Sequence, residues 1–141
     1  MAMSEQNVDV IRAIYEAWAR GDYEAVFARL DTDIEWFGPP DISAAGEPGS
    51  GLSRGHQGVR RSLGRWVGTW DDYSFELGRL IDFGDQVFVE GRHGGRGKAS
   101  GVEVSEEIFS VWTLRAGQAV RQRMFRDREQ ALDAARRASI E

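Results

Sequence analysis

The stretch QVFVEGRHGGRGKASGVEVSEEIFSVWTLRAGQAVRQRMFR, residues 86–126, decides the fold. It contains three runs rich in β-branched and aromatic residues, separated by short glycine-containing connections. A similar run precedes it, ending before a Gly-Asp pair. Connections this short join neighbouring strands of opposite direction, so the pattern predicts a four-stranded antiparallel meander. The predicted strands are residues 73–82, 86–96, 102–114 and 118–126.

Helical patterns surround this meander. Apolar residues at i, i+3, i+4 and i+7 predict a first helix over residues 4–19, with Ser4 as its N-cap and Gly21 ending it. Asp22 is placed to cap a short second helix. A short strand at 33–37, a third helix from 56 or 57 to about 69, and a last helix capped by Asp127 complete the order ααβαββββα.

Residues 38–55 contain five glycines and all three prolines of the chain. Because neither residue suits the interior of a helix or a strand, we expect no regular element in this stretch. Loops of this length are usually functional or disordered, and we favour a lid over a pocket mouth.

Composition limits the functional classes. The 141 residues, 41% hydrophobic and 29% charged, predict one domain spanning 1–141. No apolar run is long enough to span a membrane and no signal peptide is recognisable, so we expect a cytoplasmic protein with no membrane partner. A net charge of -5 argues against nucleic-acid binding.

Metal and cofactor chemistry also lack support in the sequence. There is no cysteine, which excludes disulfides and thiolate ligands. The two histidines, His56 and His93, fall on different elements without spaced partner ligands, so we expect no metal site. The glycine-rich run at 93–98 lacks phosphate-loop spacing and is interpreted as turn chemistry. We therefore expect no cofactor.

Five tryptophans, three tyrosines and seven phenylalanines suit a pocket for a flat apolar ligand, although each could also be an ordinary core residue. Side chains alternate faces along a strand, and we assign the even-numbered positions of the meander to the pocket face. The predicted ligand-binding residues are Ile14, Trp18, Trp36, Trp66, Phe88, Ile108, Ser110, Trp112, Gln122, Met124 and Arg126.

Four polar residues are candidates for acid/base catalysis. Glu90, Arg92 and Glu106 fall on the predicted pocket face, where they could form a catalytic group or a cross-strand ion-pair network. His56 could act as an acid or base, although its place at the start of a helix favours a capping or anchoring role. His93 falls on the opposite parity, which predicts a surface or interface position.

Neither face of the meander is uniformly polar. A sheet with apolar residues on both faces needs a cover on each, with helices on one side and a partner subunit or a long loop on the other. We therefore expect a homodimer formed through the outer sheet face.

Five segments carry a resemblance to a known family: 19–23 (ARGDY), 33–36 (DIEW), 55–60 (GHQGVR), 111–117 (VWTLRAG) and 125–128 (FRDR). The chain resembles the nuclear transport factor 2-like (NTF2-like) superfamily, specifically its SnoaL-like branch. The resemblance implies an α+β fold in which a cone-shaped, curved antiparallel sheet wraps around a pocket and is covered by three helices. Members that look like this are conical dimers and include isomerases, polyketide cyclases, epoxide hydrolases, dehydratases and binding modules.

The resemblance also bears on mechanism. At the positions where ketosteroid isomerase-like members hold their two oxyanion donors and base, this chain has Ile14, Ser110 and Gly38, which argues against steroid isomerisation. Epoxide hydrolase-like members use an Asp-Arg-Asp group, for which the nearest candidates are Glu106, Arg92 and Glu90. Cyclase-like members use an acid/base Asp and a His.

Two hypotheses follow. The first is a cofactor-free acid/base enzyme, an isomerase, cyclase, dehydratase or hydrolase, acting on a small hydrophobic organic molecule. The second is a non-catalytic small-ligand-binding or dimeric interaction module whose polar residues form ion pairs.

Overall fold

The computed structural model describes residues 2–37, 52–68 and 70–140. Within them the chain forms one curved six-stranded sheet with the strand order β2-β1-β6-β5-β4-β3. The elements are α1 (Ala2–Ala19), α2 (Tyr23–Ala28), β1 (Leu30–Phe37), β2 (Leu52–Arg54), α3 (Gly55–Gly68), β3 (Trp70–Phe83), β4 (Gln86–Gly97), β5 (Glu103–Arg115), β6 (Gln118–Phe125) and α4 (Arg128–Ile140).

The predicted meander is confirmed. Strands β3, β4, β5 and β6 pair in sequence order, each antiparallel to the next. The sheet is extended beyond them by β1, which pairs parallel with β6, and by β2, which pairs antiparallel with β1. The α+β class and the curved sheet around a pocket are thus as predicted, with one parallel pair in an otherwise antiparallel sheet.

Helix boundaries follow the predicted capping only in part. The Asp22 side chain accepts a hydrogen bond from the backbone N–H of Ala25, and Asp127 accepts one from Glu129, so both act as caps. Ser4 is not an N-cap, because α1 begins at Ala2 and Ser4 lies within its first turn. Side-chain preferences identify a cap only where the backbone leaves the helix.

The prediction of no regular structure over 38–55 is wrong at its end. Residues Leu52–Arg54 form β2 against β1, and Gly55 begins α3 with a positive φ of 73° that glycine adopts without strain. The rest of that stretch, and with it the predicted lid, lies outside the described residues.

Two apolar clusters lie on opposite faces of the sheet. The larger packs α1, α2 and α3 against one face, around Ile11, Ile34 and Trp112. The smaller packs α4 against the other face, over Phe88 and Phe109. The chain's own last helix therefore covers part of the outer apolar surface from which a dimer was predicted, and the dimer remains a prediction. None of the described helices is long and apolar enough to cross a membrane.

Candidate functional site

The β4–β5 register decides which side chains share the pocket face. Val87 is paired with Trp112, Val89 with Ser110, and His93 with Glu106. Paired residues of antiparallel strands project from the same face, so the odd positions of β4 join the even positions of β5. The alternation of faces within each strand was predicted correctly. The prediction that even positions of both strands share the pocket face was wrong, because even positions of β4 are paired with odd positions of β5.

Phe88, Glu90 and Arg92 consequently project away from the pocket, and their predicted placement is wrong. Glu90 forms an ion pair with Arg128 at the start of α4, and the Arg128 guanidinium lies 5.7 Å from the Phe88 ring centroid. That hydrogen bond to Glu90 raises the pKa of Arg128. Half-exposed Arg92 lies 3.6 Å from Glu107 and 3.3 Å from the Ser105 hydroxyl. These contacts hold α4 and neighbouring strands together on the outer face.

An apolar cavity of about 90 Å³ lies between the sheet and helices α1–α3. Aromatic rings form much of its wall, and Trp36 and Tyr15 both pack edge-on against Trp112. The side chain of Trp66 lies outside the described residues, and Arg126 belongs to the polar group described below. The predicted ligand-binding residues that line the cavity are Ile14, Trp18, Trp36, Ile108, Ser110, Trp112, Gln122 and Met124.

Four polar side chains form a buried cluster on the cavity wall. The Trp112 indole N–H donates to the Tyr15 hydroxyl oxygen at 3.1 Å, and the Gln122 amide N–H donates to the Ser110 hydroxyl oxygen at 3.2 Å. Burial raises the pKa of Tyr15 to about 12. Tyr15 is therefore a neutral hydrogen-bond donor at physiological pH. Its place in the apolar periodicity of α1 carries no signal of this polar role.

A second polar group extends from the cavity toward solvent. Tyr73 lines the cavity, and its hydroxyl lies 3.3 Å from His93 Nδ1. His93 Nε2 lies 3.0 Å from Glu106 Oε1, and Glu106 Oε2 lies 3.9 Å from Arg126. His93 is buried, with the ring centroids of Trp70 and Tyr73 within 6.4 Å, whereas Glu106 is about one-third exposed.

The order of these groups favours one tautomer of neutral His93. Because an ionised carboxylate accepts hydrogen bonds only, Nε2 carries the proton of the neutral ring and donates a hydrogen bond to Glu106. Nδ1 is then an acceptor for the Tyr73 hydroxyl. The arrangement is a directed chain, Tyr73 to His93 to Glu106, of the kind in which a carboxylate orients a histidine that can accept a proton. The surface or interface position predicted for His93 is wrong, because the pairing of His93 with Glu106 places it on the pocket face.

His56 takes the anchoring position. Its Nε2 lies 2.9 Å from the Leu30 carbonyl oxygen, and its ring packs 5.4 Å from that of Phe27. These contacts tie the start of α3 to the start of β1. Across residues 2–37, 52–68 and 70–140, no group of three or more His, Asp or Glu side chains is arranged to hold a metal ion.

An open depression of about 410 Å³ adjoins the cavity. Trp18 and Leu63 contribute to both spaces and form the wall between them. On its outer side, the Arg60 guanidinium stacks 4.0 Å over the Phe27 ring.

Comparison with known proteins agrees with this architecture. The family model of the SnoaL-like domain matches residues 11–122, and the chain belongs to that family. No curated protein sequence matches it significantly.

Solved structures share the fold over nearly the whole chain. An NTF2-like protein from Burkholderia thailandensis E264 is 30% identical, with a TM-score of 0.75, covering 92% of this chain and 95% of that one. TerC, crystallised with polyporic acid, is 23% identical with a TM-score of 0.75, covering 92% and 98%. IdmH, a candidate polyketide cyclase from Streptomyces antibioticus, is 19% identical with a TM-score of 0.73, covering 91% and 96%.

Proposed function

We propose that this protein is a cofactor-free acid/base enzyme that moves a proton on a small, largely apolar organic molecule, as in an isomerisation or a cyclisation. The observation that carries the proposal is the chain Tyr73–His93–Glu106, which begins at the cavity wall and ends at a partly exposed carboxylate. The resemblance supports it, since cyclase-like members use an acid/base Asp and a His, and in this chain the carboxylate beside His93 is that of Glu106.

The proton balance of the proposed step is simple. Tyr73 donates its hydroxyl proton to His93 Nδ1 as its oxygen takes a proton from the substrate. The resulting imidazolium is stabilised by the Glu106 carboxylate through Nε2–H. Return of the proton to another substrate atom completes the reaction without any change of oxidation state. Tyr15, a neutral donor on the same cavity wall, is suited to stabilise negative charge that develops on a substrate oxygen.

Cavity size sets a condition on this function. The enclosed volume of about 90 Å³ is smaller than the roughly 300–1,000 Å³ of ordinary ligand pockets. The adjoining depression would supply the missing space once Trp18 or Leu63 moves aside. A substrate larger than a single ring therefore requires movement of that wall.

A deuterium-exchange assay tests the proposal. The protein is incubated in D₂O with a panel of enolisable cyclic and linear 1,3-dicarbonyl compounds, and NMR follows exchange at carbon. We expect exchange above the buffer rate, reduced about 100-fold or more in His93→Gln and Glu106→Gln. Glu107→Gln is the matched control, because Glu107 neighbours Glu106 but pairs with Arg92 on the opposite face. No exchange above buffer with any compound, or equal loss in the control, would overturn the proposal.

The second candidate is a non-catalytic small-ligand-binding module. It is favoured by the burial of His93, which is 3% exposed and reaches the cavity through Tyr73. In that case ligands bind without exchange, and the His93→Gln protein retains their affinity.

We also propose the homodimer through the outer sheet face, supported by the resemblance. Arg121, Arg123 and Phe125 project from that face of β6, opposite Gln122 and Met124. Arg123 is half-buried, and this desolvation lowers its pKa. Sedimentation velocity should give a dimer for the unmodified chain and a monomer for Arg123→Glu. Arg115→Glu, at the exposed β5–β6 turn, is the control.

A further inference from the structure

The open depression beside the cavity has the size of a ligand site. Its volume of about 410 Å³ lies within the roughly 300–1,000 Å³ of ordinary ligand pockets, whereas the enclosed cavity measures about 90 Å³. Every described residue that lines the depression belongs to α1, α2 or α3, whereas residues of the sheet line much of the cavity. The depression is therefore a distinct space with its own chemistry.

Aromatic rings form the apolar walls of the depression. The Trp18 and Tyr23 rings meet edge to face with their centroids 5.3 Å apart, and Phe27 completes the group. Among the described residues three large apolar side chains are exposed, and Tyr23 is one of them, with 43% of its surface accessible. Aromatic surface left open to water in a concave site favours a ligand that carries a flat ring.

Helix α3 contributes open space to the depression. Gly64 and Gly68 lie one turn apart and both line it. A Cβ atom added at either position would have nothing within 4 Å, and neither residue has the positive φ that requires glycine. Gly64 lies inside the helix, where alanine is the more favourable residue. Packing within the described part of the chain thus gives no reason for glycine there, whereas a ligand above the helix does.

The depression also carries a positive charge without an anionic partner. Arg60 is the one charged side chain among its described lining residues, and its guanidinium stacks 4.0 Å over the Phe27 ring. Within the described part of the chain, Arg60 forms no ion pair and no hydrogen bond. Stacking covers one face of the guanidinium and leaves the N–H groups at its edge, which match the two oxygens of a carboxylate.

We propose that this depression binds an aromatic carboxylate, whose ring lies against Trp18 above Gly64 and whose carboxylate pairs with Arg60. A plain hydrocarbon would use only the aromatic walls, and a small inorganic anion would use only the guanidinium. The proposal concerns the depression alone and does not rest on the proposed function. An acid bound there contacts Trp18 and Leu63, the two side chains that separate it from the cavity.

Two probes of the same shape isolate the charge. 2-Naphthoate carries the carboxylate, and 2-naphthamide replaces it with an uncharged amide. Their dissociation constants for the ¹⁵N-labelled full chain are measured by NMR titration of the backbone N–H signals of Gly64 and Gly68. We expect naphthoate to shift both signals and to bind about tenfold more tightly than naphthamide, as for a hydrogen bond to a charged group. The indole N–H signal of Trp112, which lines only the cavity, should shift less.

Arg60→Met removes the charge while keeping most of the length of the side chain. The naphthoate-to-naphthamide affinity ratio should fall to about one, because the amide never used the charge. Arg61→Met is the matched control, since Arg61 is the next residue of α3, is also exposed and does not line the depression. It removes the same net charge from the protein and should keep the ratio of the unmodified chain.

Gly64→Leu tests the space above the helix. Because a side chain at this position meets nothing within 4 Å, the variant should fold, which circular dichroism and urea unfolding verify. The leucine side chain should occupy the depression and abolish the naphthoate shift of the Gly68 signal.

Four results would overturn the inference. They are no binding of naphthoate, equal affinities of the two probes, an affinity ratio unchanged in Arg60→Met, and naphthoate shifts larger at Trp112 than at Gly64 and Gly68. These titrations involve no turnover, so their failure would leave the deuterium-exchange test of the proposed function unaffected. Absence of exchange would likewise leave the naphthoate site standing.

Discussion

His93 Nε2 lies 3.0 Å from Glu106 Oε1, across a register pair of β4 and β5 in which the histidine is buried and the carboxylate reaches solvent. The other ring nitrogen is oriented toward Tyr73. Such a pair restricts the histidine to one tautomer and one orientation. It is the geometry on which the proposed proton transfer depends.

Tyr73→Phe tests this relationship directly. The substitution removes the hydroxyl that joins the cavity to His93 but keeps the ring and its packing. We expect deuterium exchange to fall by about 10²–10⁴, while the free energy of unfolding falls by only about 1 kcal/mol for one lost hydrogen bond. Tyr23→Phe, at an exposed tyrosine, is the control. Retention of full exchange activity by Tyr73→Phe would remove Tyr73 from the mechanism.

Burial of Tyr15 makes stability depend on alkaline pH. Its pKa is about 12 in the folded chain and near 10 when exposed, so between these values the folded state holds a proton that the unfolded state has lost. This stability contribution is fully present below pH 10 and is lost as pH rises toward 12. Urea unfolding should show a decrease of about 2–3 kcal/mol over that interval. The decrease should be absent from Tyr15→Phe.

The absence of a side chain at Gly91 leaves room for the Phe75 ring, which lines the cavity. A Cβ atom built at Gly91 would lie 2.4 Å from Phe75 Cζ, too close for the ring to stay in place. Gly91→Ala should therefore displace Phe75 and lower the free energy of unfolding by about 1–3 kcal/mol. Gly64→Ala, in α3 where nothing lies within 4 Å, should raise stability by about 0.5–1 kcal/mol. Equal effects from the two substitutions would contradict this account.

Glu35 links β1 to β6 on the outer face. Its carboxylate accepts two hydrogen bonds from Arg121 and one from Arg54, and these arginines lower its pKa. The resulting stability is present above the ordinary value of 4.5 and is lost as pH falls below it. Arg121→Met should cost about 0.2–1 kcal/mol at neutral pH, as for other exposed ion pairs. This cost should shrink as the pH falls below 4.5. A stability difference between Arg121→Met and the unmodified protein that does not change with pH would contradict the role of the ion pair.

Phe88 packs beneath α4, not in the cavity. Phe88→Leu should lower the free energy of unfolding by about 1 kcal/mol or more because of the cavity left in the second core cluster. Its deuterium-exchange activity should match that of the unmodified protein. Hydrogen exchange should show weaker protection in α4. Loss of exchange activity comparable to that of His93→Gln would restore Phe88 to the pocket.

Sequence patterns predicted individual elements well where the cause is local. The alternation along β5 correctly places Ile108, Ser110 and Trp112 on one face, and the glycine-containing connections correctly predict the meander. The same alternation failed across strands, because a shift of one residue in register exchanges the two faces of the neighbouring strand. That single exchange moved Glu90 out of the site and brought His93 into it.

The amino-acid sequence by itself determined the α+β class, the order of the four meander strands, the Asp22 cap and the family, since these depend on composition, periodicity and turn chemistry over a few residues. Only the tertiary structure decided the contacts between distant segments. Tyr15 meets Trp112 across 97 positions, and the Tyr73–His93–Glu106 chain joins three strands. Pairing register and sheet curvature set those contacts, and both depend on the packing of the whole chain.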